Sequence, residues 1–255
     1  MRLRNLLLAT LATLLLWQLA AMLLQRDILP APWEVLQTFG RLLTRDPRCM
    51  TPPHSLGCHF LVSAGRVVAG LALSVALAVP AGLALGQSRP LNNLFGPLVY
   101  LLYPIPKIVF LPIILLFLGI GETSKVFTIF LILFFQVLVV VRDQASALRP
   151  ELLASVRSLG AGRRALFRYV YLPATVPAAI TALRVSVGTA VAVLFFTETY
   201  ATTSGLGYYI ILDTLSRLAY REMCAGVIAM SLLGLGLYAI LDQLERRLAP
   251  WMFVS

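Results

Sequence analysis

Charged residues are scarce in this chain of 255 residues. They make up 13% of it, whereas a soluble globular domain carries about a quarter of such residues. Hydrophobic residues make up 59% of the chain. These proportions exclude an ordinary soluble domain. They predict an all-α polytopic membrane protein in which residues 1–255 form a single domain in contact with the lipid bilayer.

The sequence also lacks the patterns that bind nucleotides or catalyse reactions. No stretch matches Gly-x-x-x-x-Gly-Lys-Ser/Thr, the loop that holds the phosphates of ATP. No His-Glu-x-x-His occurs, and the apolar runs contain no Ser/His pair and no paired aspartates. An intramembrane enzyme is therefore disfavoured. We expect a non-catalytic membrane subunit that binds no cofactor itself.

Cysteine is rare, with three residues in the chain. Cys224 lies in an apolar run, where packing is its expected role. Cys49 and Cys58 flank a polar loop, and a disulfide between them is an open alternative if the loop faces an oxidising compartment. A zinc site made by these two with His54 and His59 is disfavoured, because no second Cys or His pair has metal-ligand spacing.

Six apolar runs are long enough to cross a bilayer, since a spanning helix needs about 20 residues. They cover residues 5–24, 61–85, 94–118, 124–141, 174–196 and 223–241. A shorter pattern follows the first run, where Val35, Leu36, Phe39, Leu42 and Leu43 recur at helical spacing. This pattern predicts an amphipathic helix that lies along the membrane surface.

Basic residues give the chain a net charge of +10. They cluster at the ends of the apolar runs, which makes them signals of topology rather than of nucleic-acid binding. Their distribution favours cytoplasmic N- and C-termini. It places a periplasmic loop at about residues 25–60 and a cytoplasmic loop at about residues 143–172.

The cytoplasmic loop has the pattern of a short helix from Pro150 to Gly160. Proline is tolerated in the first turn of a helix, and Glu151 complements its positive end. Gly160 supplies a left-handed stop. Leu152 and Leu159 fall on one face of this segment together with Val156. A helix exposed on one side of a membrane protein in this way is expected to dock another molecule.

The same residues resemble a signature of the permease subunits of binding-protein-dependent ABC importers. That signature reads Glu-Ala-Ala, three residues, Gly, nine residues and Ile-x-Leu-Pro. Here nine residues separate Gly160 from Val170-Tyr171-Leu172-Pro173. The start differs, because Ala154 stands where the family has its glutamate. Glu151 lies one turn earlier and is a candidate replacement.

The resemblance implies the type I ABC importer permease fold, with residues 150–160 as the coupling helix that enters a groove of a cytoplasmic ATPase. That partner would be a dimer and would bind ATP and Mg. The implied contact residues are Glu151, Ala154, Ser155, Arg157, Leu159, Gly160, Arg163, Leu172 and Pro173. A second permease copy, a periplasmic solute-binding protein and a bacterial inner membrane are implied as well. A homodimer is expected, and a heterodimer stays open because of Ala154.

Further stretches are similar to the nitrate/sulfonate/taurine branch of these permeases. They are Leu29 to Val35, Tyr103 to Pro112, Gly119 to Glu122, and Gly205 to Tyr208 after Glu198. This likeness implies a small, anionic solute. A neutral vitamin precursor such as a pyrimidine is the alternative.

Prolines interrupt the third apolar run and predict a kinked or partly unwound span, because each removes a helix hydrogen bond. Irregular backbone at membrane depth is tolerated where it is buried or lines a cavity. The candidate translocation path comprises Tyr103, Pro104, Pro106, Lys107, Arg184 and Glu198.

Each of these residues also has a purely structural alternative. The aromatic residues around the prolines are equally suited to packing. Lys107 and Arg184 can be paired, or can reach an interface with their charged ends. Glu198 can pair with Arg184 or Arg66, or it can gate the outer mouth.

A secondary transporter is the competing functional class. It should show inverted repeats and membrane carboxylates for ion coupling. No repeat is visible, and Glu198, near the outer end of the fifth run, is the one candidate carboxylate.

Overall fold

The computed structural model describes residues 3–24, 28–44, 55–200 and 202–252, and these residues form helices joined by short turns, with no strand. The α-helices are α1 Leu3–Leu24, α2 Pro32–Thr44, α3 Leu56–Gln87, α4 Arg89–Leu102, α5 Leu111–Leu118, α6 Glu122–Ser146, α7 Pro150–Ser158, α8 Arg163–Leu166, α9 Leu172–Glu198, α10 Leu206–Tyr208 and α11 Tyr220–Leu248. Tighter 3₁₀ turns cover Lys107–Phe110, Leu215–Arg217 and Pro250–Met252, and wider π-helical turns cover Phe167–Tyr171 and Tyr209–Thr214.

The predicted membrane spans are confirmed. Five helical segments of the described chain are long and apolar enough to cross a bilayer: Leu7–Leu24, Leu56–Gln87, Glu122–Ser146, Arg163–Glu198 and Tyr220–Leu248. A sixth span is broken, because Arg89–Leu102 and Lys107–Leu118 meet at an angle of 82°. This break confirms the interruption that the prolines of the third apolar run predicted.

The chain divides into two compact units. The first comprises Met1–Ala64 and Glu198–Leu232, and the second comprises Gly65–Thr197 and Leu233–Ser255. The single membrane domain expected from the sequence stays a prediction.

In the second unit, glycines allow α3 to approach α6 closely. A Cβ atom added to Gly82 would lie 2.9 Å from the Cβ of Val141, and one added to Gly86 would lie 2.5 Å from the Cβ of Ala145. The hydroxyl of Ser74 donates a hydrogen bond across the same contact to the carbonyl of Phe130, at 3.2 Å. Small residues pack membrane helices in this way because lipid supplies no hydrophobic force between them.

In the first unit, α2 is the amphipathic helix that the sequence predicted. Val35 and Leu42 are buried, whereas Leu36 and Leu43 are exposed. The indole N–H of Trp17 in α1 donates to the carbonyl of Pro30, which precedes α2, at 3.2 Å. This bond fixes the entry of the chain into α2.

Candidate functional site

The cytoplasmic-loop helix predicted from the sequence is α7, which begins at Pro150 and ends at Ser158. Gly160 has a φ of +86°, the left-handed conformation expected of the residue that ends a helix. The amide of Ala161 then donates to the carbonyl of Val156, at 3.4 Å. The glycine therefore closes the helix and turns the chain towards α8.

The side chains of α7 are largely uncovered, and none of its residues is buried. Leu152 is 45% exposed and Leu159, which follows the helix, is 86% exposed. Among the expected contact residues of this segment, those that are exposed are Glu151, Ala154, Ser155, Arg157, Leu159, Gly160 and Arg163. The apolar side of the segment is thus open to another molecule.

Leu172 and Pro173, the remaining expected contact residues, are half-buried at the start of α9. Proline lacks an N–H group, and the chain before it widens into a π-helical turn in which the amide of Leu172 donates to the carbonyl of Phe167. Val170 and Tyr171 in this turn are buried. These residues anchor the loop to the spanning helix, whereas the exposed ones present its surface.

Lys107, a residue that is 9% exposed, lies just after the break and caps the C-terminal end of α4. Its Nζ atom donates to the carbonyl of Leu102 at 2.7 Å and to that of Tyr103 at 2.5 Å. The same atom lies 4.6 Å from the centre of the Phe135 ring. The last carbonyls of a helix carry partial negative charge, so a cation placed there stabilises the end of α4.

Two cavities lie in the second unit, and Tyr103 beside this break borders both of them. A cavity of about 350 Å³ is bordered by four of the predicted path residues, namely Tyr103, Pro104, Pro106 and Lys107. A larger cavity of about 660 Å³ lies between α6 and α9, and Pro173 and Trp251 also border it. Tyr103, Gln136 and Thr189 line both cavities.

The sequence reasoning missed the polar residues of α6 and α9 that line the larger cavity. They are Gln136, Gln144, Thr181, Ser186 and Thr189. The available signal was the amide of Gln136 in the apolar run of α6, since polar groups at membrane depth commonly mark a functional position.

Arg184 forms ion pairs within the protein. Its Nη1 atom lies 2.9 Å from a carboxylate oxygen of Asp242 and 2.8 Å from one of Glu245. Thr181 donates to the other oxygen of Glu245, at 2.8 Å. Arg184 is not among the described residues that line the two cavities. Its structural alternative, a paired charge, therefore matches the geometry.

Glu198 is fully buried in the first unit, where it holds the turn that begins at Gly205. Its carboxylate accepts the hydroxyl proton of Ser63 at 2.7 Å and the amide of Gly207 at 2.9 Å. The same hydroxyl oxygen of Ser63 accepts from the amide of Leu206, at 2.8 Å. Gly205 has a φ of +111°, which favours glycine. The tight turn predicted at Gly205–Gly207 is present.

A second acceptor completes this turn. The Nδ1 atom of His59 accepts a hydrogen bond from the amide of Gly205, at 3.0 Å. The ring of His59 also lies against those of Tyr208 and Tyr209, with centres 5.8 and 5.3 Å away. The buried imidazole therefore acts in the described structure as a packing and acceptor group.

The pairing of Glu198 with Arg184 or Arg66 stays a prediction. Arg184 has the partners given above. In the second unit Arg66 forms an ion pair with Glu122, whose Oε2 atom lies 2.6 Å from Nε of the arginine. A further role of Glu198 at the outer mouth stays a prediction.

The cysteine loop lies partly beyond the described residues. Cys58 is buried, but Cys49 and His54 lie outside the described ranges, so the disulfide stays a prediction. Among the residues that the structure does describe, no group of three or more His, Cys, Asp or Glu side chains is arranged to hold a metal ion.

The chain is similar in sequence to known membrane transport proteins. The family model described as binding-protein-dependent transport system inner membrane component matches residues 75–254. The taurine transport system permease protein TauC of Escherichia coli (strain K12) is 31% identical over 245 residues, which are 95% of this chain and 88% of that protein.

More distant relatives carry other solutes in their names. The formylaminopyrimidine transport permease protein ThiX of Halalkalibacterium halodurans is 27% identical, covering 93% of this chain and 92% of that protein. The nitrate import permease protein NrtB of Synechococcus elongatus is 26% identical, covering 77% of this chain and 71% of that protein.

Solved structures show the same fold. An inward-facing structure of the MetNI methionine ABC transporter contains a chain that matches with a TM-score of 0.65 and 17% identity. The match covers 83% of this chain and 98% of that one.

Proposed function

This chain belongs to the family of binding-protein-dependent transport system inner membrane components, and we propose that it forms the path by which a small anionic solute enters the cell. It is the permease subunit of an ATP-driven ABC importer. In the proposed cycle a periplasmic binding protein delivers the solute. A cytoplasmic ATPase dimer binds ATP and Mg and performs the hydrolysis, so that the permease itself catalyses nothing.

The exposure of the α7 segment is the observation that carries the proposal. Leu152 and Leu159 present apolar surface in a loop that must lie outside the membrane. Burying one leucine side chain is worth about 1.5–3 kcal/mol, so a partner that covers both would gain affinity from them. We propose that a groove on the ATPase covers these two leucines. Arg157 and Arg163 of the same loop can contact acidic groups in that groove.

The anchoring of the loop supports a role in transmitting movement. Leu166, Val170 and Tyr171 are buried at the root of the loop, and the chain continues from them into α9 without a break. Closure of the ATPase dimer would move two such loops, one from each permease copy. A homodimer with cytoplasmic termini in the bacterial inner membrane satisfies this requirement for two loops.

The relatives support the class of solute. Taurine, aliphatic sulfonate and nitrate permeases stand among them, which favours a small anion. The formylaminopyrimidine relative favours the second candidate, a neutral pyrimidine-like vitamin precursor.

The test is capture of the ATPase by the permease. The full chain is co-expressed with an ABC ATPase from the same organism, and Leu159→Glu is compared with Leu43→Glu. Leu43 is 55% exposed and lies on α2, which is not among the candidate spans. We expect Leu159→Glu to lose the ATPase while still inserting in the membrane, because a charge would then enter an apolar groove. Equal capture by Leu159→Glu and the unaltered chain would contradict the proposal.

A further inference from the structure

Gln136 lies at the junction of the two cavities of the second unit. It is in the middle of α6 and borders both the 350 Å³ cavity beside the broken span and the 660 Å³ cavity between α6 and α9. A solute that moved from one cavity to the other would pass the three residues that border both, which are Tyr103, Gln136 and Thr189.

The amide of Gln136 is incompletely satisfied. Its Oε1 atom is buried and has no hydrogen-bond partner among the described residues. A buried acceptor without a donor costs free energy, and the cost is larger in an apolar surrounding that excludes water. Such a group is retained where something else supplies the missing bond.

The neighbouring polar groups do not supply it. The ammonium of Lys107 donates to the carbonyls of Leu102 and Tyr103, and the hydroxyl of Thr181 donates to Glu245. Among the described side chains that border the two cavities, the Oε1 atom of Gln136 is the buried polar atom left unpaired.

We infer that Gln136 is a specificity-determining residue that contacts the solute, and that this solute carries an N–H donor together with an acceptor. A carboxamide offers both an acceptor oxygen and an N–H₂ donor. An amino sulfonate or an aminopyrimidine satisfies both atoms. A bare oxyanion such as nitrate offers acceptors alone and leaves one atom of the amide unpaired. This inference rests on the proposed function, because it assumes that the two cavities belong to the path.

The contacts of Lys107 also favour Gln136 as the residue that binds the solute directly. An ammonium bound to two main-chain carbonyls and placed over an aromatic ring would have to give up these contacts to bind an anion directly. The broken span therefore contributes positive potential to the smaller cavity, whereas Gln136 contributes the directional hydrogen bonds.

The experiment measures uptake into proteoliposomes that hold the complete importer with its binding protein. The probes are taurine, ethanesulfonate, which lacks only the amino group, formylaminopyrimidine and nitrate. Gln136→Met is compared with Gln87→Met, a matched control at the end of α3 whose side chain is exposed and lines neither cavity. The affinity of the binding protein for each probe is measured separately, so that the selectivity of the permease can be distinguished from that of the binding protein.

We expect the unaltered importer to favour an N–H-bearing probe. Gln136→Met should lower uptake of that probe about tenfold, as expected for one lost hydrogen bond of about 1.4 kcal/mol. It should leave uptake of ethanesulfonate unchanged, and Gln87→Met should change the uptake of neither probe.

Three results would overturn the inference. They are a preference of the unaltered importer for nitrate or ethanesulfonate, an equal effect of Gln136→Met on all probes, and a loss of the permease dimer in Gln136→Met, which would assign the amide to a bond between subunits. Failure of every probe to stimulate ATP hydrolysis by the unaltered complex would instead remove the proposed function, and the inference with it.

Discussion

The Nζ atom of Lys107 lies 2.7 Å from the carbonyl oxygen of Leu102. A cation that follows the break therefore caps the end of α4, the helix that precedes the break. Pro104 and Pro106 cannot donate hydrogen bonds in this turn, which leaves carbonyls at the end of α4 in need of donors. One side chain provides two of them. The break is therefore a built feature, and the charge of Lys107 belongs to the scaffold of the smaller cavity.

Replacing Lys107 by Met should lower the stability of the permease. Two carbonyls in an apolar region would lose their donor, at a cost of about 1–3 kcal/mol. The measurement is the thermal unfolding midpoint of the detergent-solubilised protein. Lys107→Arg, which retains donors and charge, is the control, and its unfolding midpoint should fall less than that of Lys107→Met. A normal unfolding midpoint together with abolished transport would instead assign Lys107 to direct contact with an anion.

Replacing Gly160 by Val should uncouple ATP hydrolysis from the solute. A β-branched residue in the left-handed region costs about 1–2 kcal/mol, so the end of α7 would change direction. Gly162→Val is a matched control, because Gly162 has a φ of −76° and both glycines have open space around them. The measurement is solute-stimulated ATPase activity of the reconstituted complex. Similar activity in the two variants would contradict the role of the left-handed turn.

Replacing Glu151 by Ala should weaken docking of the ATPase, if this carboxylate stands in for the one missing at Ala154. Both positions are exposed and lie one turn apart on α7. Ala154→Glu in the Glu151→Ala background should restore docking, because it returns the acid to the position the family uses. The amount of ATPase captured by tagged permease measures both effects. Capture that is indifferent to Glu151 would remove it from the interface.

Replacing Glu198 by Ala should loosen the Gly205–Gly207 turn. The carboxylate accepts from Ser63 and from the amide of Gly207, and the loss of such charged hydrogen bonds costs about 3 kcal/mol. Hydrogen–deuterium exchange of residues 205–208 should therefore speed up. Glu222→Ala is the control, because Glu222 pairs with the exposed Arg217 and surface pairs contribute about 0–1 kcal/mol. Unchanged exchange in Glu198→Ala would show that other bonds hold the turn.

Features that depend on neighbouring residues in the chain could be predicted from the sequence. The six spans, the interruption at the prolines, the amphipathic α2 and the short helix α7 all follow from local hydrophobicity, proline chemistry and the left-handed preference of glycine. Each requires information from a stretch of about 5 to 25 residues, because helix hydrogen bonds join residues four apart.

Features that depend on contacts between residues far apart in the chain could not be predicted from the sequence. Arg184 finds Asp242, which lies 58 positions away in the chain, and Ser63 finds Glu198, which lies 135 positions away. The sequence offered several partners for each of these charges, and periodicity does not rank them. The unpaired amide of Gln136 is a property of its surroundings, so it appears only once the cavity walls are in place.

The sequence by itself determined that this chain crosses a membrane with helices, that one of these helices breaks, and that the short helix α7 forms between two of the spans. Hydrophobic length and backbone chemistry act locally, and so they can be read from the letters. Only the tertiary structure decided that Lys107 closes a helix, that Arg184 is neutralised by acids of α11, and that Gln136 faces two cavities. A buried polar group is stable only with particular partners, and packing alone brings those partners within hydrogen-bonding distance.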